Sequence, residues 1–284
     1  MKIIPVRKLN NLQQYTSDAQ RFNIRRIEDI LQGKDLIHDL HRHNFFFILS
    51  VQHGKGNHEI DFTSFRVLDH SLFFLRPGQV HQLELKTGSS GYLLEFNIEF
   101  YNPKDPVAKQ RLRKAGNNNY CIFRKDQFER IHTVLTSLFR EYSTKEEGYL
   151  DVIRAGLEIF FIELARQTHD GVKATNNYTQ ERYEEFLELL DRHITRHKQV
   201  SFYTNLMSLS AYQLNEITKS SADKTASQLI NEQILLEAKR FLIATPNQVK
   251  EIADQLGYED PSYFIRFFKK HAGHSPEAFR EGFK

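Results

Sequence analysis

Residues 249–280 read VKEIADQLGYEDPSYFIRFFKKHAGHSPEAFR, and this stretch decides how the rest of the chain is read. Val249, Ile252, Ala253 and Leu256 recur at helical spacing. Gly257 follows where a left-handed residue ends a helix. Asp260 then stands at an N-cap position, with Pro261 first in the next helix. That helix is expected to run to about Ala272 and to stop at Gly273. Phe264 and Phe268, four apart, point one way, towards a core, while Ser262, Tyr263, Arg266, Lys269 and Lys270 fall largely on other faces. A short helix, a tight turn and a helix with a polar, basic outer face form the helix-turn-helix plan, whose second helix enters the major groove. Arg266 suits a bidentate bond to guanine, and Lys269 or Lys270 suits a phosphate. The same pattern also fits an ordinary helical bundle with a solvated face.

Residues 251–280 resemble, without a gap, the signature of AraC/XylS-type transcriptional regulators: Ile252-Ala253, Leu256-Gly257, Ser262-Tyr263-Phe264, Arg266, Phe268-Lys269, Gly273, Ser275-Pro276 and Arg280 stand at matching places. Upstream, residues 230–242 resemble the family's long connecting helix and residues 202–214 its first helix-turn-helix. The resemblance implies two recognition helices on one rigid helix, presented to one side of DNA about one helical turn, ~34 Å, apart. It places the first recognition helix near residues 210–219, with Ala211, Tyr212, Asn215, Glu216 and Lys219 facing outward. It gives Pro261, Ser262, Tyr263 and Arg266 to the second. The first unit departs from the family pattern at three places. Asp223 replaces the usual glycine after the recognition helix, Thr204 replaces a small alanine, and Glu216 stands where a basic or polar reader is common. Aspartate tolerates a left-handed turn better than most residues, and a carboxylate accepts from cytosine N4 but repels phosphate. The implied partner is double-stranded DNA, with RNA polymerase a second partner for an activator.

The 284 residues suffice for two domains, each with a substantial core. Hydrophobic residues at 40% and charged residues at 26% exclude wholesale disorder and a collagen-like chain. The single cysteine, Cys121, cannot form an intrachain disulfide, and it reads as a bystander in a polar loop. Net charge is +3 overall but −1 from residue 181 onward, where 15 Asp/Glu face 14 Lys/Arg. Charge alone therefore does not announce a nucleic-acid partner, and it predicts modest non-specific affinity. The opening MKIIPVRKLNNLQQY lacks the apolar core of a signal peptide. No apolar run in the first half approaches the ~18 residues of a membrane span. A cytoplasmic protein with no membrane partner is expected.

Residues 20–100 read as short strands. Aromatic and β-branched runs at residues 45–49, 72–75 and 92–100 alternate with turn signals at Gly54-Lys55-Gly56-Asn57, Arg76-Pro77-Gly78 and Gly88-Ser89-Ser90-Gly91. Leu40-His41-Arg42-His43 followed by Phe74-Leu75-Arg76-Pro77-Gly78-Gln79-Val80-His81 resembles the cupin-like barrel at the N-terminus of many such regulators. In metal-bearing cupins an HxH pair, a following glutamate and a later histidine hold the ion. Here His41, His43 and His81 are present, but Asn44-Phe45-Phe46-Phe47-Ile48 occupies the glutamate's place and the next acid is Glu59. No metal is expected, and the histidines are read as hydrogen-bonded within the barrel or lining an effector pocket with Phe45 and Phe47. Phe73, Phe74, Tyr92 and Phe96 are further aromatics that either wall such a pocket or fill the core.

From residue 125 the period changes. Phe128, Ile131, Leu135, Leu138 and Tyr142, then Tyr149, Ile153, Leu157, Phe160 and Leu164, each mark one helix face, giving a hairpin over residues 125–168 whose outer face is expected to dimerise. Residues 169–180, HDGVKATNNYTQ, read as a linker. Beyond it Tyr183, Phe186, Leu187, Leu190 and Ile194 open an all-helical region. No P-loop, dinucleotide GxGxxG or nucleophile elbow occurs, so no cofactor and no enzymatic activity are expected.

The expected fold is thus an α+β two-domain chain. Residues 1–168 form a cupin-like β-barrel with a helical hairpin, for sensing and dimerisation. Residues 181–284 form an all-α DNA-binding domain with two helix-turn-helix units. The expected function is sequence-specific transcriptional regulation by a homodimer, modulated by a small-molecule effector. The alternatives are a constitutive DNA-binding regulator whose barrel is only a dimer scaffold, and a metal-dependent cupin enzyme.

Overall fold

A computed structural model describes residues 6–7, 9, 18–168 and 177–282. The chain forms two compact units, Pro5–Gly171 and Val172–Lys284.

The first unit is a pair of five-stranded sheets with helices over one of them. Strands β1 (Val6–Arg7), β3 (Leu36–His43), β8 (Val80–Leu85), β5 (Gly56–Ile60) and β6 (Thr63–Val67) neighbour one another in that order. The second sheet runs β10 (Tyr120–Ile122), β7 (Ser71–Leu75), β4 (Phe46–His53), β9 (Ser90–Phe96) and β2 (Phe22–Arg26). All pairings are antiparallel except β1 with β3.

The central strands of the second sheet, β7, β4 and β9, are buried on both faces, which explains why they are continuous apolar runs rather than alternating ones. Phe45, Phe47, Leu49, Val51, Phe73, Leu75 and Leu93 fill the interior between the sheets. Ile48, Leu72, Phe74, Leu94 and Phe96 face the other way, beneath the helical hairpin. Pleat alternation thus divides the aromatics that sequence left ambiguous. Phe45, Phe47 and Phe73 look into the barrel, whereas Phe74, Tyr92 and Phe96 do not and are removed from its candidate wall.

The hairpin is α3 (Lys125–Thr144) and α4 (Tyr149–Thr168), joined where Lys145 and Gly148 take positive φ. Phe128, Ile131, Leu135 and Leu138 of α3 meet Ile153, Leu157, Phe160 and Leu164 of α4 in one core. Three local expectations need correction. Two short helices, α1 (Ile27–Leu31) and α2 (Pro106–Asn117), were not anticipated. The second carries six Lys, Arg, Gln and Asn residues that mask its apolar period; Asp105 caps it by accepting from Ala108 N, with Pro106 first. The run 92–100 is strand only to Phe96, because the Asn97 side chain accepts from Phe100 N and turns the chain. Cys121 lies in β10, paired with Leu72, rather than in a loop.

The second unit is helical throughout: α5 (Asn177–His193), α6 (Val200–Met207), α7 (Ala211–Ala222), α8 (Ala226–Ala244), α9 (Val249–Gln255), α10 (Pro261–Ala272) and α11 (Pro276–Glu281). Residues 177–180 of the expected linker belong to α5, and residues 169–176 lie outside the described part. Phe186, Leu190 and Ile194 are buried as the periodicity predicts. Among the described residues, no helix is long and apolar enough to cross a membrane.

Candidate nucleic-acid interface and the barrel histidines

The first helix-turn-helix is α6, a turn at residues 208–210, and α7. Ser208 takes φ 52° to end α6, and Leu209 N bonds back to Thr204 O at 2.9 Å. Ser210 and Gln213 form a reciprocal capping box at the start of α7. Tyr203, Thr204, Met207, Leu214, Ile217 and Thr218 are buried between the two helices and their neighbours. Thr204 replaces a smaller residue without stranding its hydroxyl, which donates to Ser201 O at 3.0 Å. The guanidinium of Arg182, on α5, donates to Met207 O and so covers the C-terminal end of α6. Asp223 adopts the left-handed conformation at the C-cap of α7, φ 55°, with its N–H on Lys219 O.

Four of the five predicted outward residues of α7, Ala211, Tyr212, Glu216 and Lys219, are exposed, and Tyr212 is 74% exposed. Asn215 is half-buried, and its side-chain oxygen accepts from Ala226 N at 3.0 Å, tying α7 to the first turn of α8. Its amide oxygen therefore has a job inside the fold, which single-sequence reading had no means to reveal.

The second unit is built from α9, a turn at residues 256–260, and α10. Gln248 and Glu251 cap α9 reciprocally. Gly257 takes φ 69°, and a Cβ there would lie 2.5 Å from the Thr195 carbonyl oxygen, so the turn requires glycine on two counts. Lys198 reinforces this close approach: its Nζ donates to Gly257 O at 2.9 Å and lies 4.7 Å from the centre of the Tyr258 ring. Burial lowers the Lys198 pKa and raises that of Tyr258. Asp260 caps α10 by accepting from Ser262 N at 2.8 Å, with Pro261 at the first position, and Gly273 ends the helix at φ 84°. Phe264 and Phe268 are fully buried, and Phe268 meets Phe279 of α11 edge-on at 5.7 Å. Arg280 donates to Leu242 O and Asn247 O, closing the end of α8.

On the outer side of α10, Ser262, Tyr263, Arg266, Lys269 and Lys270 are exposed and Pro261 is half-exposed. Arg266 stands 3.7 Å from Asp260 and 6.0 Å from the Tyr263 ring centre, contacts that hold it loosely along the helix. Lys269, Lys270 and His271 occupy the last turn, where cations favour the helix dipole.

In the barrel, strand pairing brings the predicted histidines together. A bulge between His38 and His41 shifts the phase of β3, so that His41 and His43 are buried whereas the neighbouring Asp39 is exposed. His41 pairs with His81 across β3 and β8. His43 Nε2 is 2.7 Å from His81 Nε2, and its ring stacks on Phe47 at 5.3 Å and tilts over Phe45 at 4.3 Å. All five predicted pocket residues thus occur in one neighbourhood. His58, fully buried on β5, is the member that the sequence did not signal: its Nε2 is 2.8 Å from His81 Nδ1. A histidine alternating with Glu59 on an ordinary strand has no local motif, and only sheet order places it here. Burial, aided by the charges of His41 and His38, lowers the pKa of His58 to about 3. Burial likewise holds His81 well below its usual value. Burial raises the Cys121 thiol to about 11, so it is no ready nucleophile.

Comparison with known proteins matches residues 203–282 to a helix-turn-helix domain and residues 22–102 to the AraC-like ligand binding domain. An HTH-type transcriptional activator, RhaR, of Yersinia pestis is 19% identical over 250 residues, covering 86% of this chain and 84% of its own. Its counterpart from Mannheimia succiniciproducens is 21% identical over 248 residues, covering 86% and 87%. Among solved structures, ToxT from Vibrio cholerae is 15% identical, covers 91% of this chain and 96% of its own, and superposes with a TM-score of 0.43. The DNA-binding domain of AdpA, solved with a target DNA, is 22% identical and covers 35% and 89% with a TM-score of 0.33. With the two family matches falling on the β-sheet unit and on the paired helix-turn-helices, the chain belongs to the AraC/XylS family of DNA-binding transcriptional regulators.

Proposed function

We propose that the chain binds specific DNA as a homodimer and that a small molecule in the barrel modulates this binding. The observation that carries the reading is the outer face of α10, where Ser262, Tyr263, Arg266, Lys269 and Lys270 are exposed on a helix anchored by buried Phe264 and Phe268. Arg266 is assigned to a guanine edge, and Lys269 and Lys270 to phosphates. Tyr212, Glu216 and Lys219 of α7 are assigned to the second half of the site, with Ala211 allowing close approach. Asn215 is assigned a positioning role first. His41, His43, His81, Phe45 and Phe47 are assigned to effector binding, since they converge inside the barrel. Division of labour follows the two units: residues up to about 168 sense and dimerise, and residues from α5 onward bind DNA.

Dimerisation is assigned to the outer face of α4, where Val152 and Ile159, two turns apart, are 47% and 52% exposed. Exposed aliphatic side chains repeating at seven residues suit a helix-to-helix seam. Two linked DNA-binding units then raise each other's effective concentration on a paired operator. Contact with RNA polymerase is assigned only if the regulator activates.

Titrating the intact chain onto duplex DNA at increasing salt tests the reading. Each neutralised phosphate contributes about −0.9 to the log–log slope, so a steep negative slope is expected, and a flat one contradicts the assigned lysine contacts. Sedimentation should give a dimer that Val152→Glu together with Ile159→Glu splits into monomers.

A further inference from the structure

The loop between α5 and α6 leads into the first helix-turn-helix, yet it is bonded to the turn of the second. Its backbone is fixed from both sides. Arg196 N and His197 N donate to His193 O at 3.0 and 2.9 Å, which extends α5 into the loop. The fully buried Tyr203 of α6 donates its hydroxyl to His197 O at 2.6 Å. The His197 ring stacks on Phe202 at 3.7 Å, with the planes 4° apart. Lys198 follows directly and reaches across to the other unit. Its Nζ donates to Gly257 O at 2.9 Å and lies 4.7 Å from the Tyr258 ring centre, a charge-assisted bond and a cation–π contact on successive residues. Tyr258 in turn is buried, with its ring 5.3 Å from Phe264 and 5.9 Å from Tyr263, both on α10. A path of direct contacts thus runs from α6, through Lys198, to the reading helix of the second unit.

We propose that Lys198 is a positioning residue for two-box DNA recognition: by gripping Gly257 and Tyr258 it fixes the separation and phase at which α7 and α10 meet the duplex. The inference rests on the reading of both helices as DNA readers. Helix α8 joins the two units, and long helices bend. A second attachment, away from α8, removes that freedom. The demand on it is strict, because one extra base pair moves a second box by about 3.4 Å and turns it by about 35°. Gly257 adds to the grip, since the close approach of Thr195 O at this point leaves no room for a side chain. In a DNA-binding unit a lysine ordinarily serves a phosphate. Here the ammonium is engaged by a carbonyl and a ring of its own chain, so Lys198 acts on spacing through the protein and not on the backbone of the DNA.

The test uses the intact chain and the variants Lys198→Met, Lys198→Gln and Lys198→Arg. Each selects bound sequences from a random duplex pool, and the two enriched boxes are then rebuilt with the spacer one base pair longer or shorter. The parent should hold one spacing. Lys198→Met and Lys198→Gln should enrich the same two boxes, while the preference for the parent's spacing falls ~10-fold, the weight of one charge-assisted hydrogen bond. Lys198→Arg keeps a cationic donor and should restore the preference, which a general loss of stability would not allow. A spacing preference that survives Lys198→Met overturns the proposal. So does equal weakening at every spacing with a salt slope reduced by about 1, which would make Lys198 a phosphate contact. A second measurement needs no DNA. Spin labels at Ser220→Cys on α7 and His271→Cys on α10, both exposed, in a Cys121→Ser background should give one narrow distance that Lys198→Met broadens. An unchanged distribution overturns the proposal. A parent that enriches a single box removes the two-helix reading and the proposal with it, whereas two boxes whose spacing ignores Lys198→Met remove the proposal alone.

Discussion

The two helix-turn-helix units reach one backbone plan through different residues. In the second, glycine supplies the left-handed positions at 257 and 273; in the first, Ser208 and Asp223 do so at φ 52° and 55°. The second unit's outer helix ends in Lys269 and Lys270 beside Arg266, whereas the first offers Lys219 and an opposing Glu216. Geometry alone is therefore a poor guide to which unit holds DNA more strongly. The net charge of −1 over residues 181–284 is not spread evenly, and the second recognition helix holds the denser basic face.

Breaking the scaffold should have the largest effect. Phe268→Ala removes a fully buried ring that packs α10 on Phe279 of α11 and should cost ~3–5 kcal/mol, seen as an early transition of the helical unit in denaturant. A cost below 1 kcal/mol would mean that α10 is not anchored as described. Next in size is the reading residue. Arg266→Ala should weaken specific binding by ~1–3 kcal/mol and relax preference at one base position. Uniform weakening on all duplexes would make Arg266 a phosphate contact. Lys219→Ala in the first unit should lower affinity evenly and reduce the salt slope by about 1; no change would show that α7 stands off the backbone.

Caps give smaller effects. Asp260→Ala removes the acceptor for Ser262 N and should cost about 1 kcal/mol of stability. Asp223→Gly relieves a left-handed aspartate but loosens the unfolded chain, and a net gain of about 0.5 kcal/mol is expected. A loss would show that the Asp223 side chain contributes more than its backbone position.

Much of this was legible in the sequence because it rests on local chemistry. Gly257, Asp260, Pro261 and Gly273 punctuate α9 and α10 within a few residues, and the 3–4 spacing of Phe128 to Leu138 and of Ile153 to Leu164 marked the hairpin. What depends on sheet order was not legible. Phe45, Phe46 and Phe47 carry no sign of which side is inward until β4 is seen to be covered on both faces. His58 joins His81 only because β5 lies beside β8, and the bulge in β3 that turns His41 and His43 inward leaves no turn residue to announce it. Helix α2 was hidden by its own charges. The resemblance sets Asn215 among the outward residues of α7, but no local pattern shows that its side-chain oxygen accepts from the buried Ala226 N at the start of α8.

The most direct test of the central claim is selection of bound sequences from a random duplex pool by the intact chain, repeated with Arg266→Ala. Two boxes about one helical turn, ~34 Å, apart are predicted for the parent, with Arg266→Ala losing preference at one position of one box. Enrichment of no sequence by the parent would contradict the assignment of α7 and α10 as reading helices.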